Sequence, residues 1–98
     1  MGRQQVKKGK IGRRRVQFRL FHPEAQTVSV AGDFNQWDIA ANPMRRSKNG
    51  TWTKVMMMQP GRYEYRFYAD GRWYNDPANA LKCANGFGSQ NDVLIALP

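Results

Sequence analysis

The segment Arg62-Tyr63-Glu64-Tyr65-Arg66-Phe67-Tyr68-Ala69, fenced by Pro60-Gly61 and Asp70-Gly71, gives the clearest alternation in the chain. A period of two sends successive side chains to opposite faces of a strand, so Tyr63, Tyr65 and Phe67 are expected to enter a core. Glu64, Arg66 and Tyr68 then face away from it. No segment with a helical period competes. Short alternating runs separated by turn residues at roughly eight- to twelve-residue intervals are the pattern of an all-β sandwich.

The neighbouring strands follow from the same rule. Val16, Phe18 and Leu20 share a face opposite Gln17 and Arg19, and His22-Pro23 ends that strand. Val28 and Val30 repeat the alternation up to Gly32. Lys48-Asn49-Gly50-Thr51 reads as a two-residue hairpin turn joining a short strand near Met44 to one over 52–58, because Asn-Gly tolerates positive φ. Asp70-Gly71 is a second such turn and leads into Arg72-Trp73-Tyr74. Residues 75–92 read as one long loop before Val93, Leu94, Ile95 and Ala96 close the domain. About seven short antiparallel strands are expected.

The 98 residues suit one domain, and no run approaches the roughly 20 apolar residues of a membrane helix. Cys83 stands alone and the first residues carry no apolar run of the secretory kind, so the expected setting is a reducing cytoplasm, away from membranes. The net charge of +9 is unevenly placed: Arg3, Lys7, Lys8, Lys10, Arg13, Arg14 and Arg15 give +7, and the rest of the chain has nine basic against seven acidic residues. Residues 1–13 are therefore expected to form a basic disordered tail, and 14–98 the folded domain. The tail is either a solvated extension or a tether to an anionic partner. No aromatic residue interleaves its charges to stack on bases, which argues against nucleic acid.

Nothing in the sequence assembles a catalyst, and no cofactor is expected. His22, the sole histidine, precedes a proline at a strand end, where a turn role suffices. Cys83 lacks a partner for a thiolate metal site and reads as a small apolar residue. Asp33, Asp38, Asp70, Asp76 and Asp92 all fall in expected turns, where aspartate bonds nearby backbone amides. No phosphate-cradling glycine loop, HExxH or CxxC spacing is present.

Aromatic residues in polar loops are what remain. Trp52 begins a strand and reads as core. Trp37 follows Asn35-Gln36 and precedes Asp38, and Trp73 follows a Gly-Arg turn. Each is either a plug for the end of a sandwich or a platform for a ligand. An indole flanked by amides and charged groups suits a pyranose, whose face presents C–H groups and whose rim presents hydroxyls.

Gly32-Asp33-Phe34-Asn35-Gln36-Trp37, then Tyr63 through Trp73, then Asp76-Pro77, resembles carbohydrate-binding module family 48 in content and order over about residues 16–97. That family includes the glycogen-binding domain of the AMP-activated protein kinase β subunit and the N-terminal domains of branching enzymes and isoamylases. The resemblance implies an immunoglobulin-like sandwich of the early-set type that binds α-1,4-glucans such as glycogen, starch, maltooligosaccharides or cyclodextrin, without catalysis. By motif, Trp37 and Trp73 match the family's stacking tryptophans, and Arg66 stands where kinase-type domains place a sugar-bonding lysine. Phe87, Ser89 and Asn91 fall where a threading leucine, a threonine and an asparagine are found. The loop after Asp76-Pro77 is one residue longer than in the family pattern. Because some members serve as docking domains, the alternative implied is a regulatory module that engages a kinase or a glucan-metabolising enzyme.

Overall fold

A computed structural model describes residues 12–98, so the expected basic tail lies, but for its last two residues, outside the described residues. Among the described residues eight strands form an immunoglobulin-like sandwich of two antiparallel sheets: β1 (Arg14–Phe21), β2 (Val28–Gly32), β3 (Arg45–Arg46), β4 (Thr51–Met58), β5 (Gly61–Ala69), β6 (Arg72–Tyr74), β7 (Lys82–Ala84) and β8 (Gln90–Ala96). Sheet A has the order β1-β4-β3. Sheet B has the order β2-β5-β8-β7, with β6 paired to the end of β5.

The period-two residues explain the layers. Phe18 and Leu20 of β1 and Trp52 and Met58 of β4 meet Val30, Tyr65 and Phe67 of sheet B in one buried cluster. Phe18 lies edge-on to Tyr65, with ring centroids 5.0 Å apart. Trp52 is indeed core; its indole N–H donates to the His22 carbonyl at 3.0 Å, which satisfies the one polar atom such burial would strand. Glu64, Arg66 and Tyr68 project from the other face of β5, as the alternation requires.

Three expectations need correction. The Asn49-Gly50 hairpin is not a two-residue turn: Ser47 N–H donates to Thr51 O, and only Gly50 adopts positive φ (88°). Three residues therefore bridge the strands, and a side chain at Gly50 would collide with Pro23, whose Cβ lies 2.6 Å from the position a Cβ would take. Secondly, the stretch 75–92 is not one loop. Residues 82–84 form β7, which pairs with 90–92 of β8 and leaves a short tip at 85–89. Lastly, Asp92 belongs to β8 rather than to a turn and is fully buried, its Oδ1 2.6 Å from Lys82 Nζ.

By contrast, Asp70-Gly71 is the expected two-residue turn, with φ of 50° and 83° and Ala69 paired to Arg72. Asp38 and Asp76 accept from backbone N–H groups two residues on, as expected, whereas Asp33 and Asp70 accept from the distant N–H groups of Glu64 and Gln26 and so tie separate elements together. His22 sits edge-on to Tyr74, and its backbone closes the end of β1 on Gly50 O.

Candidate binding site

The outward face of sheet B carries a concavity of about 600 Å³ lined by Asp33, Trp37, Glu64, Arg66, Trp73, Asn85, Phe87, Ser89 and Asn91. All six residues singled out from the sequence are among them, brought from the β2–β3 loop, β5, β6 and the β7–β8 hairpin.

Trp37 is placed by an unusual backbone. After β2 the chain makes a 3-10 turn at Asp33–Asn35, then Gln36 and Trp37 both take left-handed φ (59° and 58°). Two consecutive non-glycine residues there cost about 1–2 kcal/mol each. Asn35 holds the arrangement. Its Oδ1 accepts from Gly32 N–H at 3.0 Å, and its Nδ2 donates to Val30 O at 3.2 Å and to Asn42 Oδ1 at 2.7 Å. The Trp37 N–H then closes on Gly32 O at 2.8 Å. Gly32 admits no side chain, because the Phe34 ring and the Glu64 carbonyl occupy the space a Cβ would need.

Trp73 is placed by register. It stands opposite Tyr68 in the β5–β6 ladder, and the two rings meet edge to face at 4.9 Å. Trp73 remains 41% exposed, and its ring lies 6.2 Å from that of Trp37 at an interplanar angle of 69°. The two indoles thus form adjoining walls of a trough rather than one flat floor. The Arg66 guanidinium sits 5.9 Å from the centre of the Trp73 ring, within cation–π range. Its Nη1 reaches Ser89 Oγ at 3.4 Å, while its buried Nε finds no acceptor among the described residues.

The β7–β8 tip is organised by Asn85. Its Oδ1 accepts from Phe87 N–H at 2.9 Å, and its Nδ2 donates to Ser89 Oγ at 2.7 Å and to Asn91 Oδ1 at 3.2 Å. Phe87 projects from the tip between two positive-φ glycines and is 90% exposed. Asn91 is only 8% exposed, and its Nδ2 also donates to Glu64 Oε1 at 2.9 Å. With both ends of its carboxamide engaged, Asn91 keeps one N–H and one lone pair for any ligand.

Glu64, Asn85 and Asp33 were not singled out from the sequence. The outward position of Glu64 beside Arg66 was legible, and Asn85-Gly86 carried a turn signal, but neither fact reveals a contact with Asn91. The hydrogen bonds from Asn91 and then Arg62 hold the Glu64 carboxyl below its usual range. It therefore stays ionised and paired to Arg62 at 2.8 Å. Asp33 is likewise occupied, accepting from Glu64 N–H at 3.2 Å. The trough presents indole faces, a phenyl ring, amides, a hydroxyl, one guanidinium and the exposed side of the Asp33 carboxylate. That is the surface of a site for a neutral, polyhydroxylated ligand with an apolar face.

Fold and site together define a small β-sandwich with an open, aromatic-walled binding surface. Residues 1–81 match the model of carbohydrate-binding module 48 (isoamylase N-terminal domain), and the chain belongs to that family. The matched span includes Trp37, Arg66 and Trp73 and stops before the tip bearing Phe87, Ser89 and Asn91. Relatives include the rice (Oryza sativa subsp. japonica) protein FLOURY ENDOSPERM 6, chloroplastic, 39% identical over 70 residues, which cover 71% of this chain and 13% of that protein. Another is the Arabidopsis thaliana PTST homolog 2, chloroplastic, 31% identical over 72% of this chain and 13% of its own length. A third is the Xanthomonas oryzae 1,4-alpha-glucan branching enzyme GlgB 2, 40% identical over 74% of this chain and 10% of that enzyme. The chain thus spans only a small part of the length of these relatives.

Proposed function

We propose that this chain binds α-1,4-linked glucan chains such as glycogen, starch, maltooligosaccharides or cyclodextrin, and performs no catalysis. The observation that carries the reading is the 69° angle between Trp37 and Trp73 at 6.2 Å. A β-1,4-glucan is a flat ribbon that coplanar rings would suit, whereas successive glucose units of an α-1,4-glucan turn and can face two inclined walls in sequence. The terminal amino groups of the Arg66 guanidinium and Ser89 then donate to rim hydroxyls, and Phe87 covers the open side. Glu64, held ionised by its partners, is no general acid for glycoside cleavage.

Covering the face of one indole contributes roughly 1–2 kcal/mol at about 25 cal/mol per Å². Against the cost of association, two such faces and a few hydrogen bonds support only about micromolar to millimolar binding per site. Isothermal titration calorimetry with β-cyclodextrin, and with cellohexaose as the flat-chain control, tests the reading. Wild type should bind the cyclodextrin and ignore the cellohexaose, and the Trp37→Ala, Trp73→Ala double variant should bind neither. Cyclodextrin binding unchanged in the double variant, or a preference for cellohexaose, would overturn it.

A further inference from the structure

The outward face of sheet A, on the opposite side of the sandwich from the trough, has a composition of its own. Its strands carry Arg14, Arg15, Arg19, Arg45, Arg46 and Lys54, and not one acidic residue. The register sorts these by face. Arg15 lies opposite Met57, Gln17 opposite Val55, Arg19 opposite Thr53, and Arg45 opposite Thr53 from the other side. Three exposed arginines therefore surround Val55 and Met57, which are themselves exposed, with Phe21 at one end of the face.

Among the described residues, Arg15, Arg19 and Arg45 have no carboxylate partner. Among the described residues the ion pairs are Arg62–Glu64 and Lys82–Asp92, both in sheet B. Arg46 turns to the rim, where it donates to Pro23 O, and Arg14 donates to Leu97 O, so neither belongs to the patch. Charge on an exposed sheet can serve only to prevent strand-to-strand aggregation. That purpose is not served by leaving Val55 and Met57 uncovered between the charges.

We infer that this face docks a separate protein through a surface whose carboxylates ring an apolar centre. Charge complementarity selects the carboxylates, and the apolar pair selects a protein over other polyanions. Protein interfaces are enriched in arginine and methionine and depleted in lysine, as this patch is. A face for single-stranded nucleic acid would interleave aromatic rings with its cations, whereas here one phenylalanine stands at the margin, and duplex binding through phosphates would leave Val55 and Met57 uncovered. The module then holds a neutral polymer on one sheet and an acidic protein on the other, two surfaces that do not compete.

The test is an amide-resolved NMR titration of the isotopically labelled chain with a synthetic amphipathic peptide of glutamate and leucine. Shifts should map to 15, 17, 19, 45, 53, 55 and 57, and leave 37 and 73 unmoved. The Arg15→Glu, Arg19→Glu, Arg45→Glu variant should weaken binding about tenfold or more at low salt, as should replacing the peptide's leucines with serine. Affinity should fall between 0.01 and 0.1 M salt, where the screening length drops from about 30 Å to about 10 Å. Unchanged cyclodextrin binding in the triple variant shows that the fold survives. No shift on this face, retained binding by the triple variant or by the serine peptide, or tighter binding of a single-stranded oligonucleotide or phosphatidylserine vesicles would overturn the inference.

Discussion

Replacing Lys82 by methionine should be among the most damaging single changes to this fold, although lysine is ordinarily a surface residue. The Lys82 ammonium is 2.6 Å from Asp92 Oδ1 and also donates to the carbonyls of Asp76 (3.1 Å) and Asn79. Asp92 is wholly buried, and its Oδ2 accepts from Asp76 N–H at 2.9 Å and Asn75 Nδ2 at 3.1 Å. Lys82→Met keeps the aliphatic stem and strands the carboxylate, a loss of about 3–5 kcal/mol for a buried pair deprived of one partner. Domains of this kind hold only about 5–15 kcal/mol in total, so the variant should lose a large fraction of its stability. Asp92→Asn should cost less, about 1–3 kcal/mol, because Lys82 is 22% exposed and can turn to water while asparagine still accepts from Asp76 N–H. The double variant should lose less than the sum of the singles, since asparagine beside methionine leaves no buried charge. Urea unfolding read from tryptophan fluorescence gives these values; at about 1.5 kcal/mol per molar, Lys82→Met moves the midpoint by roughly 2–3 M. A loss below about 1 kcal/mol, or strict additivity, would refute the claim that the pair is desolvated and coupled.

Other outcomes follow from single contacts. Asn35→Ala removes three hydrogen bonds from the loop that sets Trp37 in its left-handed conformation, and should cost about 1–3 kcal/mol of stability and weaken cyclodextrin binding with both tryptophans intact. Calorimetry beside thermal melts checks both effects. Phe87→Ala should leave the melting temperature unchanged, as an exposed tip residue, yet lower cyclodextrin affinity about three- to tenfold. Backbone N–H groups of Gln26 and then Thr27 hold the Asp70 carboxyl below its usual range, so its stabilisation is complete above about pH 4 and is lost as pH falls through the lowered value. Melting temperatures of wild type and Asp70→Asn should therefore differ at pH 6 and converge towards pH 2.

How much of this was legible depended on whether the cause was local. The alternation of β5 was written in adjacent residues, and so was the Asp70-Gly71 turn. β7 was not: Lys82-Cys83-Ala84 has neither an alternating pattern nor strong strand formers. It is a strand because β8 offers an edge and because Asp92, ten residues on, pairs with Lys82 across that edge. Asn49-Gly50 misled for a different reason: the Asn49 side chain accepts from Ser47 Oγ and Thr51 N–H, which holds a three-residue turn where the dipeptide signalled a two-residue one. In the site, the indoles were visible as aromatics out of place. The left-handed backbone at Gln36 and Trp37 was not, because it is sustained by an Asn35–Asn42 bond across the loop. Nor was the chain from Arg62 through Glu64 and Asn91 to Asn85, which requires knowing that β5 and β8 are neighbours.

The same strand that fills the core also builds the trough, and this separates the site residues into two kinds. Arg66 and Glu64 alternate with Tyr65 and Phe67 on β5, and Trp73 is locked to Tyr68 by the ladder. A one-residue slip would turn all of them inward, so their positions persist as long as the sheet does. Trp37 and Phe87 are different, because each rides on a loop or tip whose contacts can open without breaking the sheet. The trough thus has one wall set by the sheet, Trp73 with Arg66, and two parts held on loops by carboxamides, Trp37 through Asn35 and the Phe87 tip through Asn85. If the trough binds glucan as proposed, Asn35→Ala and Asn85→Ala should each weaken cyclodextrin binding in calorimetry with both tryptophans intact, because each removes the bonds that hold one loop-borne part of the site.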